Sequence, residues 1–131
     1  MKEISPDDKL YKIRHSLAHV MAQAVLQIRP NAKLAFGPPI DNGFYYDFDF
    51  ETPITEDDFK DIEKRMGKII AERQEFQEKK MPLGEAIDHL KKTGQNYKVE
   101  YAEELGSQGE KDLGFYINGP FEDMCRGPHV V

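Results

Sequence analysis

Two short stretches of this sequence hold donor side chains at the spacing of a ligand or catalytic pair. His15-Ser16-Leu17-Ala18-His19 lies near the beginning and Cys125-Arg126-Gly127-Pro128-His129 near the end. On a helix, an i, i+4 pair stacks both side chains on one face, about one turn apart. The second pair sits in a Gly-Pro turn unsuited to a helix. Each pair alone is a weak signal, because polar helices reach His-x3-His by chance; together they point to one site of His15, His19, Cys125 and His129. Three chemistries are open to such a set. All four could close a tetrahedral structural zinc site, or three with a water could form a hydrolytic one. Without metal, imidazoles that titrate near neutrality could position and deprotonate a water. Cys125 as a covalent nucleophile ranks last, because nothing in the sequence singles out a thiol ester step.

The elements that must position these residues are legible in part. Ser5-Pro6-Asp7-Asp8 reads as an N-cap, a proline at the first helical position and acids in the first turn. From there Leu10, Ile13, Leu17, Val20, Ala24 and Ile28 recur at helical spacing as an apolar stripe that ends before Pro30-Asn31. At 100° per residue, His15 and His19 fall about 200° and 240° from Ile13, on the opposite side with Ala18, Ala22 and Leu26. A helix apolar on one side and small-plus-histidine on the other is expected to be covered on both, the second cover being a cleft.

Lys33 to Phe36 and Phe44 to Phe50 read as strands joined through Gly37-Pro38-Pro39 and Asp41-Asn42-Gly43, where Asn-Gly signals a tight turn. Period 2 puts Phe44, Tyr46, Phe48 and Phe50 on one face, where the Tyr46 hydroxyl needs a partner. Thr55 starts a second long helix with Phe59, Ile62, Met66, Ile69 and Ile70 as its buried stripe. An extended lysine-containing piece, Phe76 to Met81, leads to a short helix from Pro82 through Leu90, ended by Gly94. Tyr97 to Tyr101 and Phe115 to Ile117 are the remaining strand candidates, with a mobile acidic loop at Gly106 to Gly109 between them. The expectation is one α+β domain over residues 1–131: an antiparallel sheet packed against long helices, with a cleft between the first helix and the sheet.

At 131 residues the chain fits one domain, and 39% apolar residues without any membrane-length run exclude a spanning segment. The charged N-terminus, Met1 to Leu10, lacks the apolar run of a secretory signal, so a cytoplasmic location is expected. Cys125, the only cysteine, cannot make an internal disulfide. A formal charge of −6 argues against a protein that grips nucleic acid unaided and against DNA binding. A module that handles only the end of an RNA, while other domains supply the basic surface, would be just as acidic.

The stretch from His15 to His19, the segment Phe36-Gly37-Pro38-Pro39-Ile40-Asp41-Asn42-Gly43-Phe44-Tyr45-Tyr46-Asp47, and Asp123-Met124-Cys125-Arg126-Gly127-Pro128-His129 together closely resemble the N-terminal editing domain of bacterial threonyl-tRNA synthetase. The resemblance spans nearly the whole chain. It extends more loosely to alanyl-tRNA synthetase and its freestanding editing relatives, which share the histidine-containing motifs but lack the Asp-Asn-Gly-Phe-Tyr-Tyr-Asp segment.

The resemblance implies hydrolysis of serine wrongly esterified to the 3' end of threonine tRNA. A synthetic site shaped for threonine admits serine, since one methyl supplies only about 1–3 kcal/mol of discrimination. It further implies that His15, His19, Lys98, Cys125 and His129 are catalytic and that Gly37, Tyr46 and Asp123 bind substrate. Lys98 alone would read as a solvated strand lysine, Asp123 as a turn aspartate and Tyr46 as a core aromatic. On cofactors the branches differ: the alanyl relatives hold zinc, whereas the threonyl branch implies that none is required, with Zn2+ still possible at His15, His19, Cys125 and His129. The implied partners are the 3' end of the mischarged tRNA and the remaining domains of a parent synthetase. No ubiquitin-like segment precedes the motifs and no threonine-activating core follows them, so the chain is expected to be an excised fragment unable to charge tRNA. Two alternatives stand beside this reading: a zinc-stapled structural module, and a freestanding alanyl-type trans-editing protein.

Overall fold

The computed structural model describes residues 5, 7–37, 39–40, 42–72, 74–125 and 129. Pro6, Pro38, Asp41 and Arg126-Gly127-Pro128, on which the sequence placed a helix start and turns, lie outside them. Among the described residues the order is α1 (Tyr11–Ile28), β1 (Lys33–Leu34), β2 (Pro39–Ile40), β3 (Gly43–Phe44), β4 (Phe48–Asp49), α2 (Glu56–Ala71), β5 (Gln77–Pro82), α3 (Leu83–Lys92), α4 (Asn96–Ser107), β6 (Asp112–Asn118) and β7 (Phe121–Met124). This is the expected α+β class, with antiparallel pairing throughout. The single sheet resolves into three smaller ones: β1 with β4, β2 with β3, and β5-β6-β7.

The first helix starts later than its sequence signals. Asp8 N–H donates to Ser5 O and Tyr11 N–H to Asp8 O, both at 2.9 Å, so Asp7 to Leu10 lies in turns and bends and the helix opens at Tyr11. The stripe is also shifted. Ile13 is 48% exposed, and the buried residues include His15, Ser16, Ala18, His19, Ala22 and Gln23 beside Val20, Ala24 and Val25. The helix is therefore packed on both sides. Val20, Ala24 and Val25 meet Ile62 and Ile69 of α2, while Ala18 and Ala22 meet Leu34, Tyr46 and Phe121. On α2 only Ile62 and Ile69 are buried; Phe59 and Ile70, expected inside, are half exposed.

The β5-β6-β7 sheet separates two environments by period 2. Register pairs Phe115 with Met124 and Tyr116 with Asp123. Leu113, Phe115 and Met124 pack with Ala86 and Leu90 of α3 and Ala102 and Leu105 of α4. Tyr116, Asn118, Phe121 and Asp123 face α1, through contacts to His129, Gln23 and His19. The β6–β7 hairpin turns on Gly119-Pro120, with Gly119 at φ +57°, a conformation that favours glycine. This last strand was not foreseen.

Tyr97 to Tyr101 is helix, not strand. The alternation of Tyr97, Val99 and Tyr101 mimics a strand, but over a longer window Lys98, Ala102 and Leu105 recur at helical spacing, and these are the buried residues of α4. Gly106 belongs to the same helix rather than to a loop. Its last turn closes at Gly109, φ +95°, with Glu110 N–H donating to Leu105 O at 3.1 Å.

Candidate active site

His15 and His19 stand one turn apart on the buried side of α1, their ring centroids 5.4 Å apart. His129 stacks on His15 at 4.1 Å and lies 4.3 Å from His19, backed by Phe76 at 4.8 Å. Cys125 follows directly on β7, and its Sγ lies 3.3 Å from His129 Nε2. The sequence-distant pairs do converge: one donor atom from each of His15, His19, Cys125 and His129 falls within 4.8 Å of all the others.

Asp123, on the α1-facing side of β7, is the electrostatic centre beside this cluster. Its Oδ2 accepts from the Tyr46 hydroxyl at 2.5 Å and faces His19 Nε2 at 3.4 Å, and its Oδ1 lies 3.5 Å from Lys98 Nζ. Lys98, on α4 and only 4% exposed, also donates to Met124 O at 3.1 Å and sits 5.2 Å from the Phe36 ring centroid. Lys98, which alone would read as a solvated strand lysine, is thus a buried helical ammonium beside the site, as the resemblance implies, and is paired as a buried charge must be.

The surroundings set protonation. Burial, reinforced by His15 and Lys98 nearby, holds His19 well below the ordinary histidine range. Burial likewise depresses His129, helped by His19 and His15. Both rings are therefore neutral at pH 7 and resist protonation, each keeping one ring-nitrogen lone pair that can accept a hydrogen bond. Burial and the Asp123 carboxylate raise Tyr46, so its hydroxyl stays a donor.

A cavity of about 470 Å3 opens on this constellation. It is lined by His15, His19, Gly37, Tyr46, Lys98, Asp123 and Cys125 among others, and thus lies between α1, the β1–β4 strands, α4 and β7. Gly37 shapes it by close approach: a Cβ there would stand 2.2 Å from Tyr46 Cδ2. Of the eight sequence-named residues, seven line the cavity, and His129 stands behind them against His15 and Phe76. Sequence reasoning missed Tyr11, Tyr45 and Tyr101 on the wall, and Ser16, whose Oγ lies 3.0 Å from His129 Nδ1. Tyr11 carried a usable signal, since it precedes His15 by four positions on the same helix.

Fold and site define an α+β domain with a ligand-sized cavity equipped for acid–base chemistry, combining neutral imidazoles, a buried ammonium and a carboxylate. Comparison with known proteins finds homologues among threonine–tRNA ligases. The chain is 45% identical over 129 residues to threonine–tRNA ligase of Borrelia garinii subsp. bavariensis, covering 98% of this chain and 22% of that protein. It is 44% identical over 119 residues to the Bdellovibrio bacteriovorus threonine–tRNA ligase, covering 90% of this chain and 18% of that protein. To the Maridesulfovibrio salexigens threonine–tRNA ligase it is 41% identical over 133 residues, covering all of this chain and 20% of that protein. No protein-family model matches the chain. The chain is thus homologous to one domain-sized segment of threonine–tRNA ligases and spans about a fifth of the length of the relatives it matches.

Proposed function

We propose that these 131 residues act as one editing module of a threonine–tRNA ligase, hydrolysing the ester between serine and the 3' end of threonine tRNA. The observation that carries this reading is the cavity in which neutral imidazoles, the Lys98 ammonium and Asp123 converge, on a chain homologous to these ligases. A water oxygen attacks the ester carbonyl carbon, and its proton passes to an imidazole, of which His15 is placed on the cavity wall. The Lys98 ammonium, held in place by Asp123 and Met124 O, stabilises the oxyanion that develops. The carbon–oxygen bond to the ribose then breaks, and the ribose oxygen leaves with the proton returned by the base. Asp123, already engaged by Tyr46 and Lys98, orients these groups and offers its carboxylate to the seryl amine.

The donor set fits zinc in kind, because three imidazoles and a thiol lie within 4.8 Å and His19 Nδ1 has no hydrogen-bond partner among the described residues. His15, His19, Cys125 and His129 would hold the ion, which would polarise a carbonyl or acidify a bound water. The editing reading does not require it. A module whose zinc only staples the fold is disfavoured, because three of these donors, His15, His19 and Cys125, line an open cavity and the homologous proteins are ligases. The match to threonine–tRNA ligases likewise favours the threonyl branch over a freestanding alanyl type.

The test is release of serine from seryl-tRNA for threonine by the purified chain, by a His15→Ala variant, and by the chain with chelator. The expected result is hydrolysis unaffected by chelation and reduced about 100-fold or more in the variant. Equal rates in chain and variant would overturn the assignment of His15. Loss of both fold and activity on chelation would favour the zinc-stapled module.

A further inference from the structure

We propose that Ser16 is a positioning residue that fixes the tautomer of His129, accepting the Nδ1 proton so that the bare Nε2 is turned toward Cys125. The His129 ring is clamped by faces and edges: His15 at 4.1 Å and Phe76 at 4.8 Å stack on it, and Tyr116 meets it edge-on at 4.5 Å. Such contacts set the plane of an imidazole but are nearly indifferent to a half-turn about its long axis or to which nitrogen carries the hydrogen. Two polar contacts make the distinction. Ser16 Oγ lies 3.0 Å from Nδ1, and Cys125 Sγ lies 3.3 Å from Nε2.

A helical serine hydroxyl can give its own hydrogen to the carbonyl one turn earlier, which leaves its oxygen to accept. A neutral imidazole carries its one ring hydrogen on one nitrogen or the other, and here each nitrogen has a single polar neighbour within hydrogen-bond distance, Ser16 Oγ or Cys125 Sγ. With that hydrogen on Nδ1 and directed to Ser16, the lone pair lies on Nε2, beside the only thiol of the chain and next to His15 on the cavity wall. Ser16 sits one position after His15 and three before His19, so a single turn of α1 supplies two site imidazoles and the group that orients a third. The consequence for turnover rests on the hydrolase reading; the tautomer does not.

The experiment is long-range proton–nitrogen NMR of the uniformly 15N-labelled chain in chelator-treated buffer, with His129 assigned by loss of its signals in His129→Gln. Ser16→Ala and Ser16→Thr are compared with the native chain. The native ring is expected as the Nδ1–H tautomer. Ser16→Thr, which keeps the hydroxyl, should retain it, and Ser16→Ala should shift the ring toward Nε2–H. A native Nε2–H signature would overturn the proposal with no variant needed, and so would an unchanged ring in a folded Ser16→Ala chain. Deacylation of seryl-tRNA by the same samples separates the two readings. If the tautomer shifts as expected but no sample hydrolyses the ester, the positioning role stands and the proposed function fails. If both hold, Ser16→Ala should lose about tenfold in rate and Ser16→Thr should recover most of it.

Discussion

Asp123 shows how much one buried carboxylate holds together. It accepts from Tyr46, pairs with Lys98 and faces His19, and both members of the ion pair are almost wholly out of water. Removing one charge from a buried pair leaves the other desolvated and uncompensated, which typically costs about 3–5 kcal/mol. Asp123→Asn should therefore destabilise the chain by roughly that amount, and adding Lys98→Met should recover part of the loss; urea unfolding of the single and double variants measures both. The donors themselves were legible in the sequence, because spacing and residue type identify His15, His19, Cys125 and His129. Burial was not. Nothing local separates a solvated Lys98 from one placed beside a carboxylate 25 positions later, because the strand register that brings Asp123 to the α1 side is a long-range property.

Helix junctions fix the frame in which these residues meet. At the join of α1 and α2, Asp58 Oδ2 accepts the Thr55 backbone N–H at 2.9 Å and the Arg29 guanidinium at 3.0 Å, closing the first turn of α2 onto the end of α1. Asp58→Ala removes a helix-terminal acceptor and a partly exposed ion pair, an expected loss of about 1–2 kcal/mol by chemical unfolding. The long helices were readable because their periodicity runs for many residues, whereas β5, without any alternation of burial, is legible only as an extended piece from Phe76 to Met81. The failures share a cause. Over five residues Tyr97 to Tyr101 alternates like a strand, and only the positions of Ala102 and Leu105, packed against Phe115 and Met124, decide for the helix. Phe121 to Met124 is four residues long and polar at its centre, so it becomes a strand by pairing with β6 rather than by any local pattern. In α1 both sides are covered, as expected, but the apolar stripe is buried only at Val20 and Ala24, and Leu10 and Ile13, placed in it by spacing, stay exposed.

Across the whole molecule, the site couples stability to pH. No helix among the described residues is long and apolar enough to cross a membrane. His19 and His129 have folded pKa values depressed by burial, while in the unfolded chain each titrates near 6.5. Below that pH the unfolded state binds protons that the folded state refuses. The stability these two rings permit is present in full above about pH 6.5 and is lost as the pH falls, by up to about 1.4 kcal/mol per pH unit for each histidine. Urea midpoints of the chelator-treated chain should drop between pH 7.5 and 5.5, and His19→Gln should flatten that slope. The central claim, that this cavity is a serine-selective ester hydrolase, is tested most directly by single-turnover cleavage of seryl and threonyl esters on a short acceptor-stem minihelix at saturating chain concentration, which removes dependence on distant tRNA contacts. The expected result is cleavage of the seryl ester at least about tenfold faster than of the threonyl ester. Equal rates for the two esters, or none above spontaneous hydrolysis for either, would contradict it.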